Sequence, residues 1–171
     1  MIKIRYGVFE TNSSSCHSIS FSNKYKRITK SKLKYETTKD NAKELRDIVN
    51  GNYDHSLEIP LGEFGWGVQT YNDCYTKLQY ALTMAYVTEC GYSSNGQGFE
   101  ETDGYKKILD LLKEEIGCEF LIVSNFEDGY IDHQSCYDYS SLADFLSDWG
   151  VSLYDFIFNP YVKLNIDNDN H

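Results

Sequence analysis

The chain has 171 residues, of which 41% are apolar, 25% charged and 15% aromatic, with a net charge of −10. A chain this long folds as one domain that buries about 68–70% of its unfolded surface, and the composition excludes disordered and fibrous classes. No run approaches the ~18 apolar residues of a membrane span, so no membrane partner is expected.

The charge is uneven. Residues 1–46 hold 11 Lys and Arg against 4 acids, a net +7, while residues 47–171 hold 5 against 22, a net −17. A basic N-terminal region thus precedes an acidic body. Either the two neutralise each other, or the acidic surface attracts basic proteins and repels nucleic acid. The five cysteines (Cys16, Cys74, Cys90, Cys118, Cys136) include no CxxC pair, and no signal-peptide pattern precedes them. Reduced thiols and a cytoplasmic location are expected. Zinc-finger ligand spacing is absent, and no cofactor is expected.

In chain order, Ile2, Ile4, Tyr6 and Val8 alternate with polar residues and predict a strand. Glu10-Thr11-Asn12-Ser13-Ser14-Ser15-Cys16-His17-Ser18 follows as a polar connection or irregular strand, before a second alternating stretch with Ile19 and Phe21. Residues 24–36 are basic with weak alternation (Ile28, Leu33, Tyr35), which suits an exposed hairpin whose lysines block edge pairing. Ala42, Leu45, Ile48 and Val49 keep helical spacing, with Gly51 as the stop. Leu57, Ile59 and Leu61 alternate around Pro60, as on an edge strand.

After the glycine-rich Gly62-Glu63-Phe64-Gly65-Trp66-Gly67, a helix starts near Asn72 or Asp73 and places Tyr75, Leu78, Leu82, Ala85 and Tyr86 on one face, ending at Gly91. Residues 92–101 read as a mobile loop. Thr102 caps a helix with an apolar stripe of Tyr105, Ile108, Leu109, Leu112 and Ile116, closed by Gly117. The continuous run Phe120-Leu121-Ile122-Val123 predicts a central strand covered on both faces. Ser141 with Asp144, and Ser152 with Asp155, are capping boxes of two short helices. Val162, Leu164 and Ile166 alternate in a last strand. These elements predict a single α+β domain, with a mixed or antiparallel sheet and helices packed on it.

Three motifs carry possible chemistry. In an extended chain neighbours point apart, so Cys16 cannot use His17 as its base, whereas Ser13, Ser15 and His17 share a face. A Ser15–His17 pair is then possible, although serine runs more often satisfy turns. Backbone amides with the hydroxyls of Thr11, Ser13, Ser14 and Ser15, helped by Arg5, would hold an anion such as a phosphate-bearing small molecule. Glu63 on its glycine turn, with Asp132 and His133, supplies acid–base candidates for a small enzyme. Spacing does not demand a metal, because no two histidines lie within one helical turn.

The segments Gly7-Val8-Phe9-Glu10-Thr11-Asn12-Ser13-Ser14-Ser15, His17-Ser18, Gly62-Glu63-Phe64-Gly65-Trp66, Tyr130-Ile131-Asp132-His133-Gln134-Ser135, Phe156-Ile157-Phe158-Asn159 and Asn168-Asp169-Asn170 are spread over nearly the whole length of the chain. Together this pattern resembles a family of uncharacterised proteins from Firmicute bacteria and their phages. The resemblance implies a bacterial or phage setting and a shared role for the three polar motifs, but no activity. With the acidic, Tyr-rich body it leads to two expectations. One is an accessory protein that binds a basic surface on a host protein, an anti-defence (anti-CRISPR-like) role. The other is a small enzyme or phosphate-binding protein built on residues 13–17, Glu63 and Asp132-His133.

Overall fold

A computed structural model of the chain describes residues 15–21, 41–65, 67–91, 95–132 and 139–168. The expected strand over 2–8 and basic hairpin over 24–36 lie outside the described residues, as do Arg5, Thr11, Ser13, Ser14, Trp66 and His133.

The element at the centre is α2, Cys74–Ala85. Asp73 caps it, its carboxylate accepting the Thr76 N–H at 2.7 Å. The sequence predicts one apolar face, yet Tyr80, Ala81, Thr83 and Met84 are as deeply buried as Leu78 and Leu82. A helix buried all round lies inside the protein rather than on its surface. Even Lys77 is fully buried, with its ammonium donating to the Asn159 carbonyl at 2.7 Å and the Val162 carbonyl at 3.1 Å. Its aliphatic stem packs as an apolar side chain would. The helix loosens into a π turn at Tyr86–Cys90 and stops at Gly91.

Around α2 lie α1 (Lys43–Gly51), α3 (Asp103–Ile116), α4 (Leu142–Asp148) and α5 (Leu153–Phe158). Their starts follow the predicted local chemistry: the hydroxyls of Thr102, Ser141 and Ser152 accept the N–H three residues on. Gly117 ends α3 at φ +73°, a conformation that a Cβ disfavours. Gly51, by contrast, is still helical, and the extended Asn52 ends α1.

Among the described residues, three small sheets frame the helices. Strands β1 (Ser15–Phe21), β7 (Val162–Asn168) and β4 (Gln69–Tyr71) form an antiparallel sheet with β7 in the middle. Strands β2 (Ser56–Pro60) and β5 (Phe120–Ser124) pair in parallel, as do the two-residue strands β3 (Glu63–Phe64) and β6 (Tyr130–Ile131). The parallel β2–β5 pair needs a crossover, supplied by the chain through α2 and α3. One cluster of buried residues joins all of these elements, giving the α+β fold.

Three expectations are corrected. The polar stretch does not remain a connection up to residue 18, because β1 is regular from Ser15 and pairs His17 with Ile166. The segment expected as a mobile loop carries a core residue. Phe99, in a 3-10 turn at Phe99–Glu101, is 1% exposed and sits edge-on to Tyr86, Tyr105 and Phe126. Finally, β5 is neither central nor covered on both faces: among the described residues it pairs with β2 alone. Leu121 points inward with Leu57 and Ile59, while Phe120 and Ile122 are 59% and 47% exposed. Among the described residues, helices pack on one side of the β2–β5 ribbon, and alternate residues of the apolar run face out.

Candidate functional site: a polar corner and an acidic face

Two of the three polar motifs are joined by backbone. Asp132 N–H donates to the Phe64 carbonyl at 2.9 Å, and Tyr130 N–H to the Gly62 carbonyl at 3.1 Å. Gly65 is pressed against this junction; a Cβ there would lie 3.0 Å from the Asp132 Cβ. Alternation turns Phe64 inward and Glu63 to solvent. Glu63 is therefore placed apart from the buried polar groups, and it is Phe64 that packs on Tyr80, at 5.0 Å between ring centroids.

The first motif enters through His17. On β1, His17 and Ile19 are buried on the core face, as period-2 geometry requires. His17 is 7% exposed, and its Nδ1 lies 2.9 Å from the Tyr80 hydroxyl. Tyr80 is a hub whose ring also meets Phe145 and Phe156. Burial pushes the His17 pKa down to about 4, against the opposing pull of the nearby Asp132 carboxylate, so the imidazole is neutral at pH 7. Its Nε2 is buried and has no hydrogen-bond partner among the described residues. Leaving such a group unpaired costs about 1–3 kcal/mol.

The corner thus gathers His17, Tyr80 and Asp132, from β1, α2 and the end of β6. Tyr80 was not anticipated; it stands 63 residues from His17, and nothing local in the sequence marks it as a partner. Ser15 lies in β1. The anion-binding set of Arg5, Thr11, Ser13 and Ser14, and the acid–base candidate His133, fall outside the described residues. No cluster of three potential metal ligands occurs among the described residues, and none of their helices is long and apolar enough to cross a membrane. The thiols of Cys74 and Cys118 are buried and free, and burial pushes both up to about 11, which makes them poor nucleophiles.

A second feature lies on the outer face of the β2–β5 ribbon. Glu58 is opposite Ile122 in register and is likewise exposed. Glu119 is exposed immediately before Phe120. The charges of Glu44 on α1 and Glu58 both act on the Tyr75 hydroxyl, whose pKa is raised first by burial and then by these two carboxylates. Glu44 and Glu58 thus both lie within electrostatic range of the Tyr75 hydroxyl. Ile48, 39% exposed, stands one helical turn beyond Glu44. Apolar side chains thus lie bare beside carboxylates. Compared with protein-family models, curated proteins and solved structures, the chain matches none.

Proposed function

We propose that the chain acts by binding another protein, with the outer face of the β2–β5 ribbon set against a basic surface. The observation that carries this reading is the exposure of Phe120 and Ile122 on a regular strand, with the exposed Glu58 opposite Ile122 in register. Apolar side chains held rigidly in solvent suit the centre of an interface, and carboxylates suit its rim. The net −17 of residues 47–171 adds long-range attraction for a basic partner. Surfaces that bind nucleic acid are basic, and the phage or bacterial setting implied by the sequence motifs makes a host nucleic-acid-binding or defence protein a fitting partner.

The test is comparative capture from host lysate with wild-type protein and with the Phe120→Ser, Ile122→Ser double variant, followed by affinity measurement on the purified partner. The reading expects binding that weakens steeply with salt, is competed by DNA, and is lost in the variant. Affinity insensitive to both salt and the double substitution would sink it.

A further inference from the structure

We infer that the cavity between α3 and α4 binds a free amino acid with an aliphatic side chain, its ammonium held by Glu89 and Asp103 and its carboxylate by Lys107. The inference is independent of the protein-binding face, since no residue of β2 or β5 lines this cavity of about 310 Å³. One wall is made by a chain reversal. Gly150, at φ +64°, turns the chain after α4; its N–H donates to the Ser147 carbonyl at 2.9 Å, and Val151 N–H donates to the Leu146 carbonyl at 3.0 Å. This pair of hydrogen bonds is the Schellman end of a helix, which folds the apolar residue past the stop back onto the last turn. Val151 and Leu146 accordingly line the cavity together, with Leu142 one turn earlier on α4 and Leu153 just beyond. Leu142, Leu146 and Val151 are buried and Leu153 is half-buried, so this wall is apolar.

The opposite wall is polar. There α2 widens into the π turn at Tyr86–Cys90, a distortion found often at functional sites. The turn sets Glu89 against the start of α3, where its Oε2 accepts the Gly104 N–H at 2.8 Å. A glycine weakens a helix, yet here it admits the carboxylate: a Cβ on Gly104 would lie 2.6 Å from Glu89 Oε1. Oε1 itself has no hydrogen-bond partner among the described residues. Asp103 and Lys107 stand one turn apart on one face of α3 and line the same cavity. Both are exposed, and neither side chain has an ion pair or hydrogen bond among the described residues. Two carboxylates and one ammonium thus face an apolar wall, the complement of a zwitterion with an aliphatic tail. A phosphate would meet two like charges, and a plain alkylammonium would leave Lys107 unmatched and repelling. The volume lies at the small end of the ~300–1,000 Å³ typical of ligand pockets, which suits a single amino acid better than a nucleotide.

The experiment follows the amide NMR spectrum of the full chain at pH 7 and constant ionic strength. The probes are L-leucine, glycine, 3-methylbutylamine and 4-methylpentanoate, each titrated separately; the last two are leucine without its carboxylate and leucine without its ammonium. The inference expects saturable shifts with leucine at residues 103–107 and 141–147, and none with glycine. The amine and the acid should each bind at least fivefold more weakly than leucine. Lys107→Met should weaken leucine at least fivefold while leaving the amine no weaker. Ala143→Trp, at an exposed position of the cavity, should abolish leucine binding while the rest of the amide spectrum stays folded. The inference is overturned by no saturable response to leucine, which would make the cavity a packing gap, or by saturable shifts confined to other residues. Amine or acid binding as tight as leucine, or leucine binding unchanged in either variant, would overturn it equally.

Discussion

Acidification is the most quantitative probe of the buried histidine. His17 has a pKa near 4 in the folded chain against 6.5 when free. The unfolded chain therefore binds the proton first, and stability rises with pH across this window. The contribution is fully present above pH 6.5 and is lost progressively as pH falls towards 4. At about 1.4 kcal/mol per unit, the full loss is about 3 kcal/mol, and at pH 4.5 it is roughly 2.5 kcal/mol. Carboxylates also titrate in this range, so the measurement is a difference. Urea unfolding of wild type and His17→Phe is compared at pH 7 and pH 4.5, and the wild type should lose about 2–3 kcal/mol more than the variant. An NMR titration gives the same quantity directly, and Asp132→Asn should move the His17 midpoint lower still, because it removes the charge that favours protonation. Equal pH slopes in wild type and variant, or a His17 midpoint near the free value, would refute the reasoning.

Three further substitutions test the scaffold. Lys77→Met keeps the packed stem but strips the donor from the Asn159 and Val162 carbonyls, and should cost about 2 kcal/mol in urea unfolding. Burial also pushes Lys77 down to about 8 from 10.5, so between these values the unfolded chain holds more protons and the wild type gains stability relative to Lys77→Met as pH rises. Tyr105→Phe removes a 2.6 Å bond to the buried Leu121 carbonyl of β5 and should cost about 1–2 kcal/mol by the same assay, with no change in far-UV circular dichroism. Thr102→Ala removes the cap of α3 and should cost about 1 kcal/mol, with faster amide exchange in its first turn.

Local chemistry was legible in the sequence, and long-range pairing was not. The caps at Asp73, Thr102, Ser141 and Ser152 and the stop at Gly117 stand where residue type and spacing place them, because each is decided within four residues. The last strand reads correctly from the alternation of Val162, Leu164 and Ile166. The run Phe120–Val123 misleads because a continuous apolar stretch is shared by strands covered on two faces and strands left bare on one; only the placement of the helices decides. Its counterpart is α2, where Lys77 and Thr83 look like surface residues yet are buried through bonds to the Asn159 and Gln79 carbonyls. At the polar corner, the sequence marks His17 and Asp132 as polar residues in motifs. It does not reveal Tyr80 as the partner of His17, nor that alternation within Glu63–Phe64 sends the carboxylate out and the ring in.

The central claim is that the exposed strand face engages a basic protein. The most direct measurement is the dissociation constant of the captured partner for wild type and for the Phe120→Ser, Ile122→Ser double variant, beside the stability of each. Both side chains are only about half buried, so their joint removal should cost folding stability no more than about 2–3 kcal/mol. The account predicts a variant that folds like wild type and binds at least tenfold more weakly. A folded variant with wild-type affinity would contradict it.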